Sequence, residues 1–179
     1  MMILFIYYLQ KLMKMALSNN TDNIIFLNIN KGLFVKSINK DETYKRLTGI
    51  ITSCHFKKDF YKAQEYDLVM FSISDDDEKY ILSIKCNSMY FKALCNSIKS
   101  GDIHQPFTFE PSYNERENRS TVFVSQAGKT LKWYHTREKP GDMPFAKQHD
   151  IGGKIIWDST EQTEYWINWC KNQNWNNEQ

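Results

Sequence analysis

The feature that most limits the folds open to this chain is a change of period between Tyr80 and Ile98. Tyr80, Leu82, Ile84 and Cys86 alternate with Ile81, Ser83 and Lys85, the repeat of a strand with one buried face. Phe91, Leu94, Cys95 and Ile98 then stand at i, i+3, i+4 and i+7, the stripe of one short amphipathic helix. Asn87 or Ser88 is placed to cap that helix and Gly101 to stop it. A single helix inserted among strands must lay its stripe on the sheet they form.

The flanking segments read as extended. Ile24 to Ser37 gives two short pieces around a turn at Asn30-Lys31-Gly32, and Leu47 to Phe56 gives another, followed by a polar and basic loop from Lys57 to Lys62. Tyr66 to Ile73 places Val69, Phe71 and Ile73 on one face and Leu68 and Met70 on the other, and Asp75 to Glu78 reads as a hairpin tip. Beyond the helix, Pro106 to Pro111 and Arg119 to Gln126 are joined by the polar Ser112 to Asn118. Three strands, one helix and two strands is the order of an OB-fold, whose strand face and first and fourth loops bind oligonucleotides. The expected class is therefore mainly β: a five-stranded OB-fold-like barrel over residues 24–139, with one helix between strands 3 and 4.

Residues 140–179 read as an appendage to that barrel. Pro140-Gly141-Asp142-Met143-Pro144 cannot continue a strand or helix, and Asp158 or Ser159 caps a terminal helix carrying Trp166 and Trp169, with Asn172 to Gln179 frayed. Residues 1–23 form an N-terminal extension. Its apolar run, Ile3 to Tyr8, is far short of the ~20 residues of a membrane span and lacks the basic n-region and small-residue cleavage site of a signal peptide. Translation is expected to start at Met15, in Met-Ala-Leu-Ser; a short amphipathic helix is the other reading of this stretch. No repeat and no linker marks a further domain.

Most chemistry is excluded by missing spacing. Cys54, Cys86, Cys95 and Cys170 form no C-x-x-C pair and no zinc pattern, so they read as reduced thiols packed as small hydrophobes in a cytoplasmic protein without metal or cofactor. Gly128-Lys129-Thr130 resembles the end of a phosphate-binding loop, but the glycine needed five residues earlier is Phe123. Asp75 to Glu78 lacks the glycine and closing glutamate of an EF-hand loop. His55, His104, His135 and His149 are scattered, and no serine or cysteine stands in a nucleophile elbow, so no enzyme is expected.

What remains is a pattern of cations interleaved with rings. With 23 Lys plus Arg against 21 Asp plus Glu there is no global basic field, so any nucleic-acid contact must come from local clustering. Gln126 to Lys139 supplies one cluster, with Lys129, Lys132, Trp133, Tyr134, Arg137 and Lys139; Lys57, Lys58, Phe60, Tyr61 and Lys62 supply a second. Rings stack on bases while Lys and Arg track phosphates, the two requirements of single-strand binding without sequence readout. In an OB topology the first loop and the segment after strand five border one groove, so the two clusters are expected to line a shared trough. The bland reading is that these rings are rim residues of the core, kept soluble by their lysines.

Several short pieces, in order, resemble the single-stranded-DNA-binding proteins encoded by tailed bacteriophages. They are Tyr80 to Ile84 leading into the Ser88 to Ile98 helix, Pro106 to Pro111 with Tyr113, Phe123 to Lys129 with Lys132-Trp133, Gly141 to Pro144, and Gly153 to Gln162. The resemblance spans roughly Gly32 to Trp166 at the level of motifs. It implies an OB-fold protein that coats exposed strands during phage replication and recombination in the host cytoplasm, alongside replication proteins. Its strand-facing residues would be Lys85, Lys129, Lys132 and Trp133. Many such proteins end in a strongly acidic tail; here Trp175 to Gln179 holds a single acid. The alternative reading is a phage structural or assembly protein whose rings, including Trp157, Trp166, Trp169 and Trp175, pack against another subunit.

Overall fold

The computed structural model describes residues 24–75 and 78–175. The Met15 start, the N-terminal helix reading, Asp76 and Asp77 of the acidic tip, and the last four residues of the C-terminus lie outside them. Among the described residues eleven strands and two helices run in the order β1 (Ile24–Asn30), β2 (Leu33–Lys36), β3 (Thr43–Tyr44), β4 (Leu47–Tyr61), β5 (Gln64–Asp75), β6 (Glu78–Lys85), α1 (Met89–Ile98), β7 (Phe107–Asn114), β8 (Arg119–Gln126), β9 (Lys129–Thr130), β10 (Lys147–Ile151), β11 (Lys154–Asp158) and α2 (Thr160–Lys171). The mainly β class and the strand–helix–strand order agree with the sequence pattern.

The five-stranded barrel does not. Strands β6-β5-β4-β7-β8 adjoin in that order, and closing them into a ring would require β6 to pair with β8. Instead β1 pairs in parallel with β6, from Ile24↔Lys79 to Asn28↔Ser83, and β9 caps β8 through Ser125↔Thr130. The result is an open nine-stranded sheet, β3-β2-β1-β6-β5-β4-β7-β8-β9, whose edges are two-residue strands. Edges that short offer little template for further pairing.

The β1–β2 turn is fixed by chemistry at two residues. Lys31 and Gly32 both adopt positive φ, 45° and 77°, matching the twist of a two-residue hairpin. A Cβ on Gly32 would lie 2.7 Å from the Tyr113 backbone nitrogen, and the Gly32 amide donates to the Tyr90 hydroxyl at 2.9 Å, tying this turn to β7 and α1.

Helix α1 begins where expected, with the Phe91 amide donating to Ser88 Oγ at 3.2 Å. It is not amphipathic in place: every residue from Phe91 to Ile98 is buried, including Lys92, Asn96 and Ser97. The apolar stripe rests on the sheet while α2 and the chain after β9 cover the polar side. The helix ends at Ile98 with Lys99 as its C-cap, and Gly101 beyond it permits close packing, since a Cβ there would come within 2.7 Å of the Phe107 ring.

The core is continuous from β1 to the last described residue. Leu27, Phe34, Val69, Phe71, Leu82, Phe91, Leu94, Phe107 and Val124 are joined by Trp166, Cys170 and Trp175, so residues after 139 complete the core. Trp175 corrects the frayed-tail expectation: its indole donates to the Cys170 carbonyl at 2.8 Å and meets Phe71 edge-on. The four thiols are free, and Cys95 and Cys170 Sγ lie 3.5 Å apart across the α1–α2 contact. Burial pushes the Cys86 thiol up to about 12. Ser159 holds the N-cap position of α2 without a side-chain cap hydrogen bond, and Asp158 before it accepts from the Thr160 amide through Oδ1 at 2.9 Å. No described helix is long and apolar enough to cross a membrane.

Candidate nucleic-acid interface

The first cluster is not in a loop. Strand β4 runs on to Tyr61, and only Lys62 and Ala63, with φ of 50° and 63°, make the turn into β5. Lys57 to Tyr61 stay extended because β5 pairs with all of them, down to Tyr61↔Gln64, and because carboxylates compensate their charge. Lys58 Nζ lies 2.8 Å from Glu65 and 3.1 Å from Asp67, and Lys57 Nζ lies 3.6 Å from Asp59. Two of the three lysines between residues 57 and 67, Lys57 and Lys58, thus meet the three acids of that stretch.

Strand alternation divides this cluster between two faces. The register rows Tyr61↔Gln64, Asp59↔Tyr66 and Lys57↔Leu68↔Lys85 put Tyr61, Tyr66 and Lys85 together, and the Lys85 ammonium sits 4.4 Å from the Tyr66 ring and 5.7 Å from the Tyr61 ring. Lys62 lies 5.4 Å from the same Tyr61 ring. Phe60 and Lys58 share the opposite face with Phe56, over whose ring Lys171 of α2 is placed. That is the face carrying Val69 and Phe71, on which the helices pack.

The second cluster stands among those helices. After β9 the chain crosses α1, and the Tyr134 amide donates to the Asn96 carbonyl at 3.0 Å, an acceptor that the last turn of the helix leaves available. The Asn96 side chain then holds the next residue twice, donating to the His135 carbonyl at 2.8 Å and accepting from its amide at 2.7 Å. Tyr61 on the open face and Trp133 on the helix side therefore do not border one trough, contrary to the OB-groove expectation.

His135 is buried and anchors the loop to both helices. Its Nε2 lies 3.0 Å from Lys99 Nζ and 2.9 Å from the Tyr165 hydroxyl, which donates to Asp142 at 3.0 Å. Lys99 also hydrogen-bonds Tyr165 and stands 4.6 Å from the Tyr134 ring. A lysine donating to Nε2 leaves the ring proton on Nδ1, which turns toward Gly141 without a hydrogen-bond partner. Burial, then the Lys99 charge, hold the His135 pKa below its ordinary value; the Tyr165 hydrogen bond is the main reason Asp142 lies below the usual carboxylate range.

This anchoring displays the rest of the segment. Lys129, Lys132, Trp133, Tyr134, Arg137 and Lys139 are all exposed, and among the described residues no carboxylate pairs with any of the four cations. Glu138 is the only acid in the stretch. Beside it opens a cavity of about 610 Å³ between α1, α2 and the β10–β11 hairpin. Trp133, Trp157 and Phe145 border it at 44%, 64% and 68% exposure. Arg137 and Lys92 complete a wall that is otherwise mostly apolar.

Three of these lining residues, Trp157, Phe145 and Lys92, lie outside the two clusters that the chain pattern marks. Trp157 could have been found from the Gly152-Gly153 turn, with φ of 63° and 80°, which predicts the hairpin Ile151↔Lys154 through Lys147↔Asp158. Phe145 and Lys92 gave no such signal, since only tertiary cover defines their surroundings. Among the described residues no group of three or more His, Cys, Asp or Glu could hold a metal ion. Compared with family models, with curated proteins and with solved structures, the chain matches none.

Proposed function

We propose that the protein binds single-stranded DNA, as the resemblance to phage single-stranded-DNA-binding proteins suggests, and that Lys129 to Lys139 is the contacting segment. The observation that carries this reading is four exposed cations, unpaired among the described residues, alternating with exposed Trp133 and Tyr134 on a loop pinned to both helices. Each stacked base contributes ~1–3 kcal/mol, and the cations supply phosphate contacts that need no base-edge readout. The order β4-β5-β6-α1-β7-β8 supports an OB-fold relationship in an opened form. On this reading the chain is a binding module, not an enzyme, working with replication proteins in a host cytoplasm. Titration of intrinsic tryptophan fluorescence with oligo-dT at two salt concentrations tests it. Quenching that weakens with salt is expected; no quenching, or binding indifferent to salt, rejects it.

A second reading, an assembly protein of phage type, is favoured by the β10–β11 hairpin. Its two strands pair only with each other, and Ile151, Ile155, Ile156 and Trp157 are exposed on it. Light scattering after size exclusion separates the two: an oligomer lost on replacing Ile151 and Ile155 by aspartate, with no retention on DNA-cellulose, selects assembly.

A further inference from the structure

Lys92 is the least satisfied charge in the helix layer. It is only 9% exposed, yet its ammonium has one hydrogen-bond partner among the described residues, Ser159 Oγ at 2.5 Å. An ammonium has three donors, and no described carboxylate lies within ion-pair distance of it. Burial lowers its pKa, with Asp158 acting only as a more distant counter-charge. A buried ammonium left in this condition is costly, and a ligand anion relieves that cost more fully than water does.

The surroundings specify the rest of such a ligand. Trp133, Trp157 and Phe145 leave flat apolar surface open to the same cavity, which suits a planar ring. Arg137, without an ion pair among the described residues, lies on the same lining and offers a second, forked anion contact. The volume, about 610 Å³, falls in the ~300–1,000 Å³ range of small-ligand sites. A nucleotide joins a planar ring to an anion in this way.

We infer that this cavity binds one nucleoside monophosphate unit, its base against Trp133 and Trp157 and its phosphate on Lys92 and Arg137. Resting on the strand-binding reading, the unit is the phosphorylated end of a DNA strand. An internal phosphodiester is tethered on both sides and stays at the mouth, whereas a terminal phosphomonoester can reach a side chain as buried as Lys92.

The test compares oligo-dT carrying a 5′-phosphate, a 3′-phosphate or only hydroxyl ends, with free thymidine monophosphate and thymidine as further arms. One phosphorylated end should bind at least about tenfold tighter than the hydroxyl form, equal to about 1.4 kcal/mol. Lys92→Met, which keeps the apolar stem volume, should abolish that difference while leaving the hydroxyl oligonucleotide unaffected. Equal affinity of all three oligonucleotides for the wild-type protein overturns the inference but leaves strand binding intact. Binding of the free monophosphate in preference to thymidine, without binding of any oligonucleotide, supports the cavity and overturns strand binding. Failure of every ligand overturns both.

Discussion

Asn96 and His135 form a two-point clasp in which one buried side-chain amide satisfies both backbone groups of the other residue, at 2.8 and 2.7 Å. The clasp converts a loop without regular hydrogen bonds into a fixed platform for Trp133 and Tyr134. Asn96→Asp keeps the shape but replaces the donor by a carboxylate facing the His135 carbonyl. Loss of one buried hydrogen bond and exposure of an unsatisfied acceptor should cost about 1–3 kcal/mol in urea denaturation. Amide exchange should rise first between residues 133 and 143, and an unchanged exchange pattern there would show that the loop is held by other means.

The His135 and Lys99 pair gives the fold an acid limit. Burial of the imidazole, and after it the Lys99 ammonium 3.0 Å from Nε2, oppose protonation, so the folded-state pKa of His135 lies below the ~6.5 of an unfolded histidine. The unfolded chain therefore takes up a proton at a pH where the native one does not. Stability from this group is complete above about pH 6.5 and declines as pH falls from there toward the lowered native value. Denaturant midpoints measured from pH 8 to 5 should drop below about 6.5, and His135→Gln should flatten that part of the curve.

Gly32→Ala should destabilise the protein by about 2 kcal/mol or more. The alanine would have to hold φ of 77° and bring a Cβ against the Tyr113 backbone at 2.7 Å, where no side-chain rotation gives relief. A thermal midpoint within a degree of wild type would mean that β7 shifts freely away from the turn.

The strand–helix–strand succession, the first hairpin turn and the start of α1 were legible in the sequence because each has a local cause: period two, a glycine in the left-handed region, a serine cap. The extent of β4 was not. Lys57 to Tyr61 reads as a polar loop, and only the facing Glu65 and Asp67 explain why lysines remain in a strand. Barrel closure was equally hidden, because the parallel pairing of β1 with β6 joins segments some fifty residues apart with no local mark. At the candidate site the Lys129 to Lys139 cluster was evident from composition alone, whereas Lys92 sits at a position that looks exposed on a helical wheel. Its burial follows from α2 and the loop, which no helical period reports.

Trp133 and Trp166, two of the three tryptophans at the cavity, should respond oppositely to truncation. Trp166 is 1% exposed and meets His135, Tyr165 and Trp169, so Trp166→Ala should cost about 3–5 kcal/mol of stability. Trp133 is half-exposed, so Trp133→Ala should leave stability within about 1 kcal/mol. Its oligo-dT affinity should instead fall by about 1–3 kcal/mol, the loss of one stacked base. A Trp133→Ala variant that unfolds would mark the ring as core and remove it from the interface.

Salt dependence separates the two basic clusters, because a cation already neutralised by a carboxylate releases few counterions from DNA. Lys129, Lys132, Arg137 and Lys139 are unpaired among the described residues, whereas Lys58 is held by Glu65 and Asp67 on the helix-facing side of β4. For single strands the slope of log affinity against log salt is about −0.7 per phosphate contact. Lys129→Ala and Lys132→Ala should each make the slope shallower by about 0.7, and together by about 1.4 if they contact different phosphates. Lys58→Ala should leave it unchanged. The reverse ranking, with Lys58 dominant, would transfer the interface to the β4–β5 hairpin and leave Trp133 without a role in binding.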